Sequence, residues 1–159
     1  MKNKILVLTF VALIAVLALS ACGGGSSPVT VNDIPAYPGA NALQPGDSKM
    51  ADQLAKNSQQ ITAMSQSLGA GGKTEQKGFS LPQDASWDAV KKFYDDKLGS
   101  AGWAAPNSTV ANVLAQTNSQ NDVFQVAIYQ RGNQSLSVIR MTSDPTTKDE
   151  MLVLSLSTH

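Results

Sequence analysis

The spacing of apolar residues changes along the chain from a helical period to a strand period, and this change constrains the fold more than any other feature. Between residues 87 and 101, apolar side chains recur every three or four positions, as in a helix with one buried face: Trp87, Val90, Tyr94, Leu98 and Ala101. From residue 123 onward the period is two, which predicts strands over residues 123–130, 134–142 and 151–158. Turn-forming residues separate these strands at 131–133 and from 143 to 145.

Two further elements complete the predicted fold. A helix over residues 48–68, capped by Ser48, carries a thin apolar stripe: Met50, Leu54, Ile61, Met64 and Leu68. A strand near residues 73–81 precedes the Trp87 helix, and residues 108–117 fit either a short helix or a weak strand. We therefore predict an α+β fold, with an antiparallel sheet of three to four strands in the order β-α-β-β-β. A long helix packs on this sheet, and a second helix lies nearer the amino terminus.

The alternation in the last three strands gives the sheet two faces, and both carry apolar residues. The face expected to form the core contains Phe124, Val126, Ile128, Leu136, Val138, Leu152, Leu154 and Leu156. The other face contains Met151 and six residues that we take as a candidate partner-binding surface: Val123, Ala127, Tyr129, Ile139, Met141 and Val153. A solvated face would be more polar, so we expect it to be covered by the 48–68 helix, by the preceding proline-rich arm, by a partner protein or by an apolar ligand.

The amino end is typical of a secretory leader. Lys2 and Lys4 precede an apolar run over residues 5–19 that is interrupted only by Thr9. A helix of this length reaches about 22 Å, which is less than the roughly 30 Å hydrocarbon core of a bilayer. A cleaved leader over residues 1–21 is therefore favoured over a membrane-spanning helix.

The residues that end this leader, Leu19-Ser20-Ala21-Cys22, resemble the lipobox of bacterial lipoproteins. The resemblance implies that residues 1–21 are removed and that Cys22 carries the acyl chains, palmitate among them, which bind the membrane. Lipoproteins that stay in the inner membrane commonly have an aspartate directly after the lipidated cysteine, and this chain has Gly23 at that position. We expect the outer membrane, facing the periplasm, in a host with two membranes, and otherwise the outer face of the plasma membrane. The alternative is an ordinary secreted protein cut near Ala21 with a free cysteine.

Residues 22–47 are predicted to connect the lipid to the domain. Glycine and serine dominate residues 23–27, a composition typical of a flexible tether. The following arm contains Pro35, Pro38 and Pro45, which disfavour a helix. Ile34 and Tyr37 could hold this arm against the single α+β domain that we assign to residues 48–159.

Two short strings are similar to those of small uncharacterised bacterial envelope proteins. They are Tyr37-Pro38-Gly39-Ala40, and Phe93-Tyr94 followed by Leu98 and Gly102-Trp103. The resemblance extends over residues 35–158 and implies a helix followed by an antiparallel sheet. It implies no particular activity.

We expect no catalytic, cofactor, metal, nucleotide or nucleic-acid site. The string 69–74 ends like a phosphate-binding loop, but it follows a predicted helix and precedes a strand, the reverse of the required order. Asp95 and Asp96 are neighbours on a helix and point about 100° apart, so they do not form a paired acid and base. The single cysteine and the single histidine, His159 at the terminus, supply no metal cluster. With ten basic and twelve acidic residues, the mature chain has no nucleic-acid footprint.

The sequence predicts a membrane-anchored bacterial lipoprotein that acts as a noncatalytic binding or envelope-assembly module. One alternative is a solute-binding lipoprotein that holds a small apolar or sugar-like ligand between helix and sheet. An anchored hydrolase ranks third. A pocket of a few hundred Å³ favours the solute-binding alternative, and a flat apolar patch on the sheet favours a protein partner.

Overall fold

The computed structural model describes residues 27–67, 72–144 and 149–159. The predicted leader, Cys22 and most of the tether lie outside the described residues, as do Leu68 to Gly71 and residues 145–148 of the last strand connection. The described chain begins with a short 3₁₀ helix, Val31–Asp33. The remaining elements are, in order, β1 (Asn41–Ala42), α1 (Lys49–Ser67), β2 (Lys73–Ser80), α2 (Trp87–Ser100), α3 (Ser108–Ser119), β3 (Phe124–Arg131), β4 (Gln134–Asp144) and β5 (Asp149–Thr158).

Local sequence signals place the starts of all three helices. The Ser48 hydroxyl accepts a hydrogen bond from the Ala51 amide at 3.0 Å, and the Ser86 hydroxyl accepts one from the Ala89 amide at 3.2 Å. Each serine thereby satisfies one of the amides that a helix leaves free at its amino end. The ambiguous segment 108–117 belongs to α3, where Asn107 is the cap.

The sheet has five strands in the order β1-β2-β5-β4-β3, and every neighbouring pair is antiparallel. The predicted α+β class with an antiparallel sheet is confirmed, but the number of strands and the order of elements differ from the prediction. The structure adds the short strand β1 at one edge and the helix α3 between β2 and β3. Because β2 pairs with β5, the last strand of the chain, β3 is left as the opposite edge of the sheet.

One face of the sheet packs against α2 and forms the core. Seventeen buried residues make up the main cluster: Val31, Ile34, Phe79, Leu81, Ala85, Trp87, Val90, Tyr94, Leu98, Trp103, Ala127, Tyr129, Leu136, Val138, Leu152, Leu154 and Leu156. The predicted buried face of the Trp87 helix is confirmed for Trp87, Val90, Tyr94 and Leu98, whereas Ala101 is exposed. Since Val31 and Ile34 precede residue 48, the packed core extends into the proline-rich arm.

Specific hydrogen bonds hold this arm to the sheet. The Gln134 side chain accepts a hydrogen bond from the Val29 amide at 3.0 Å and donates one to the Val29 carbonyl at 2.8 Å. The Val31 amide donates to the Glu75 carboxylate at 2.9 Å, and the Tyr94 hydroxyl donates to the Pro35 carbonyl at 3.1 Å. The domain is therefore fixed from Val29 onward.

The prediction of which β3 side chains lie on the core face is wrong. The hairpin turn places Arg131 opposite Gln134, so that only Gly132 and Asn133 form the loop, and Tyr129 lies opposite Leu136. A loop of three residues, 131–133, would have shifted the register by one, and such a shift turns every side chain of a strand to the other face. Ala127 and Tyr129 therefore belong to the core face, whereas Phe124, Val126 and Ile128 lie on the opposite face with Ile139 and Met141.

Alkaline pH should destabilise the domain through its two buried tyrosines. Burial raises the pKa of Tyr94 and of Tyr129 above the ordinary value near 10, and the Asp95 carboxylate raises that of Tyr129 further. The unfolded tyrosines lose protons first, so this stability is complete below pH 10 and falls at higher pH by about 1.4 kcal/mol per pH unit for each tyrosine. Urea unfolding between pH 9 and 11 should show this decrease in the free energy of unfolding. In Tyr129→Phe the decrease should be about half as large, because only Tyr94 still contributes. An unchanged slope in that variant would contradict the assignment.

Candidate functional site

The sheet face opposite the core is covered only in part, and its cover is α1. This helix approaches the sheet at Gly78, where an added Cβ would lie 2.8 Å from Cδ2 of Leu54. Glycine is therefore what allows Leu54 to come this close to β2. Over β4 and β5 the helix stands clear of the sheet, and a groove remains between them.

This cavity, which we call the α1 groove, has a volume of about 440 Å³. Its floor consists of four apolar side chains from β4 and β5: Ile139, Met141, Met151 and Val153. Met50 and Leu54 of α1 form a wall, and the remaining lining residues are Gln53, Asn57, Gln60 and Gln76. A mostly apolar cavity with a few polar groups is the usual form of a small-molecule site.

Among the residues that the structure describes, no charged side chain lines the α1 groove. An ionised ligand would have to give up hydration without gaining a partner of opposite charge, which is strongly unfavourable in an apolar site. No aromatic ring of the described residues lines it either, so these residues offer no stacking surface for a sugar. Three methionines supply flexible side chains that adapt to ligand shape. The groove therefore suits a neutral, mostly apolar molecule.

Gln76, which contributes to the lining of the groove, has one buried polar atom without a partner. Its side-chain nitrogen donates to the Ser155 hydroxyl at 3.3 Å. Its carbonyl oxygen is buried and has no hydrogen-bond partner among the residues that the structure describes. Such an orphaned acceptor costs roughly 1–3 kcal/mol.

The six residues of the predicted partner-binding surface do not share one surface. Ile139, Met141 and Val153 line the α1 groove. Ala127 and Tyr129 are buried in the core beneath α2, and Val123, which is 54% exposed, lies just before β3. The prediction is therefore wrong for Ala127 and Tyr129, because the register of β3 turns them to the other face. The predicted lipidation site, Cys22, lies outside the described residues.

The structure shows part of the cover that was expected for the sheet face opposite the core. The structure places the predicted 48–68 helix against β2, so the chain itself covers that side. The proline-rich arm packs on the core face through Val31 and Ile34, whereas its Leu43 lies on the α1 side of the sheet, beside Leu54 at Gly78. Gln76 was not among the predicted site residues, because a polar residue in a strand that alternates weakly gives no signal of its own.

A polar cluster of buried and half-buried side chains lies at one end of the core face. Arg140 makes a two-point ion pair with Glu150, and its Nη1 donates to Gln125 at 2.7 Å. The two charged side chains are only 14% and 17% exposed. Since the carboxylate and the guanidinium are occupied by each other, the cluster has a structural role.

Tyr129 lines a small cleft, and its hydroxyl donates to Asp95 at 2.9 Å. Its pKa is raised, by burial first and then by Asp95, so it is a poor proton donor or acceptor near neutral pH. Asp95 is also paired with Lys91 at 2.6 Å, and both of these side chains are exposed.

Within residues 27–67, 72–144 and 149–159, no three side chains of histidine, cysteine, aspartate or glutamate come together in a way that could hold a metal ion. Among these same residues, no helix combines the length and apolar character needed to cross a bilayer.

Comparisons with protein-family models, with curated proteins and with solved structures find no match for the chain. Function must therefore be argued from the sequence and from the geometry of the groove.

Proposed function

We propose that this chain is a lipid-anchored, noncatalytic binding protein of the bacterial cell envelope, which holds a small, neutral and mostly apolar ligand in the α1 groove. The observation that carries the proposal is the groove itself, which has about 440 Å³ between helix and sheet and no charged side chain among the described residues that line it. This volume lies within the range of about 300–1,000 Å³ that is usual for ligand sites.

The lining also narrows the chemistry of the ligand. The apolar floor favours hydrocarbon. We infer that the Gln76 side chain turns its buried, unpaired carbonyl oxygen toward the groove to accept a hydrogen bond from one hydroxyl or N–H group of the same molecule. A sugar is supported less well, because it would bring many hydroxyls to a floor without polar partners. The ligand class that fits best is an apolar molecule with one polar end that donates a hydrogen bond.

A lipid anchor on Cys22 would keep the groove close to a source of such ligands. Six residues, 23–28, separate Cys22 from Val29, where the arm is bonded to Gln134. An extended chain spans at most about 3.6 Å per residue, so the domain would stay within roughly 25 Å of its anchor point. Apolar molecules partition into the bilayer.

A second candidate function is docking of an envelope protein, and the exposed apolar residues beside β3 favour it. Val113 on α3 is 59% exposed and Val123 is 54% exposed. Val110 and Phe124 are also exposed, at 39% and 38%. None of these four residues lines the α1 groove, so the two candidate functions use different surfaces.

A titration with N-phenyl-1-naphthylamine tests the groove. This neutral, apolar dye carries one N–H group and fluoresces when it leaves water. We expect saturable binding to the mature chain carrying Cys22→Ser, which avoids background from membranes. Ile139→Gln places an amide on the groove floor and should weaken binding by about tenfold, the effect expected from loss of roughly 1.4 kcal/mol of apolar contact.

The matched control is Ile128→Gln. Ile128 is half-buried like Ile139 and lies on the same face of the sheet, one strand away, but does not line the α1 groove. We expect its affinity for the dye to equal that of the unsubstituted chain. Equal weakening by both substitutions, with both variants folded by circular dichroism, would place the dye elsewhere and contradict the proposal.

A further inference from the structure

The outer edge of β3 is closed at two points by other parts of the chain. At Val126, the Asn118 carboxamide donates to the carbonyl at 2.9 Å and accepts from the amide at 2.9 Å. At Gln130, the backbone of Ala104 makes the same two-way exchange, at 2.9 and 2.8 Å. These contacts satisfy edge groups that would otherwise be free to pair with another strand.

Ile128 lies midway between these two points. The pairing of β3 with β4 is continuous from Phe124 to Arg131, so backbone groups two residues apart point the same way. The amide and carbonyl of Ile128 therefore point outward, like those of Val126 and Gln130. Within residues 27–67, 72–144 and 149–159, no hydrogen bond reaches them from the outer side.

A cavity of about 100 Å³ opens at this position. It is touched by four consecutive residues, 126–129, whose side chains alternate between the two faces of the sheet. A cavity that touches all four must face the edge of the strand, where the peptide groups of Ile128 lie. Its other walls are mainly apolar and are formed by Ala105, Pro106, Ala111, Leu114 and Ala115. The Asn118 side chain, which is bonded to the Val126 backbone, lies at one end. We call this cavity the Ile128 notch.

We propose that the Ile128 notch binds a small molecule through a primary carboxamide, which accepts a hydrogen bond from the Ile128 amide and donates one to its carbonyl. The Asn118 carboxamide makes this same pair of bonds two residues away, at Val126. A whole added strand is excluded, because Val126 and Gln130 are occupied and lie only about 7 Å along the strand on either side of Ile128.

The charges near the notch favour a neutral amide over a carboxylate. Lys91 and Asp95 are the charged residues that line it, and they are paired with each other at 2.6 Å. Asp95 also accepts a hydrogen bond from Tyr129. Both charged groups are therefore already paired and offer no counter-charge to an ionised ligand. The alanines and Pro106 that line the notch suit a short apolar substituent on the ligand.

Titration of the ¹⁵N-labelled mature chain carrying Cys22→Ser with isobutyramide tests this proposal by NMR. We expect a saturable downfield shift of the Ile128 amide proton in the millimolar range. N,N-Dimethylisobutyramide, which keeps the carbonyl but has no N–H, should bind about tenfold more weakly, as should isobutyrate. Isobutyramide should not displace the dye from the α1 groove, so the two sites are tested separately.

Ala111→Leu should fill the notch and lower the affinity for isobutyramide by about tenfold. Val113→Leu is the control, since it enlarges an exposed side chain of the same helix outside the notch. The proposal is overturned if the Ile128 amide does not shift, if the dimethyl amide acts as strongly as isobutyramide, or if a folded Ala111→Leu variant binds normally. Should Ala111→Leu fail to fold, the comparison of ligands decides alone.

Discussion

Replacing Glu150 with alanine should lower the free energy of unfolding by about 2–3 kcal/mol, because the substitution leaves the mostly enclosed Arg140 charge without its carboxylate. The Arg140 side chain is 14% exposed, and its Nε bonds to Glu150 at 3.0 Å. After the substitution, the Gln125 carbonyl would be the only neighbour of this cluster still bonded to the guanidinium. A single neutral acceptor does not compensate for a buried charge.

The double variant Arg140→Met with Glu150→Leu is the control for this prediction. It removes both charges and keeps most of the volume, so its stability should equal that of the unsubstituted protein within about 1 kcal/mol or exceed it. Urea unfolding followed by the fluorescence of Trp87 and Trp103, both buried in the native state, measures all three proteins. A loss below about 1 kcal/mol in Glu150→Ala would mean that water reaches the pair, contrary to its burial here.

Cys22→Ser should move nearly all of the protein from the membrane fraction to the soluble fraction. Each buried methylene of an acyl chain contributes about 0.8 kcal/mol, and anchoring is stable once two or more chains are attached. Serine offers no thiol for the diacylglyceryl group. Labelling with radioactive palmitate, followed by fractionation of the host cells, gives both readouts in one experiment.

Ser20→Ala is the matched control for the anchor, because it keeps a small residue beside the proposed cleavage site. Its labelling and membrane location should not change. A membrane-bound protein whose Cys22 is an unmodified thiol by mass spectrometry would contradict the lipid anchor and leave the groove as the remaining basis for function.

The helices α1 and α2 and the strands β2 to β5 could be predicted because their signals are local, whereas β1 was not predicted and the segment of α3 was left open between helix and strand. Ser48 and Ser86 cap α1 and α2 through residues three positions away, and the change of period marks β3 to β5. The face of β3 could not be read in the same way, because it depends on whether the hairpin loop has two or three residues. That choice is set by pairing across the turn, where Arg131 lies opposite Gln134.

The residues of the candidate site could likewise be predicted only in part from the sequence. Ile139, Met141 and Val153 were expected on a covered face because they are apolar where a solvated strand would be polar, and they line the α1 groove. Gln76 and Asn118 had no comparable signal. Their roles depend on which backbone or cavity lies beside them, and neither is encoded in the spacing of neighbouring residues.

NMR of ¹³C-methyl-labelled methionine most directly tests whether the α1 groove binds a neutral apolar ligand. Met50 on the helix and Met141 and Met151 on the sheet line the groove from both sides. On titration with N-phenyl-1-naphthylamine, these three methyl signals should move together and saturate at the same dye concentration. Dye binding that leaves all three unmoved would contradict the account.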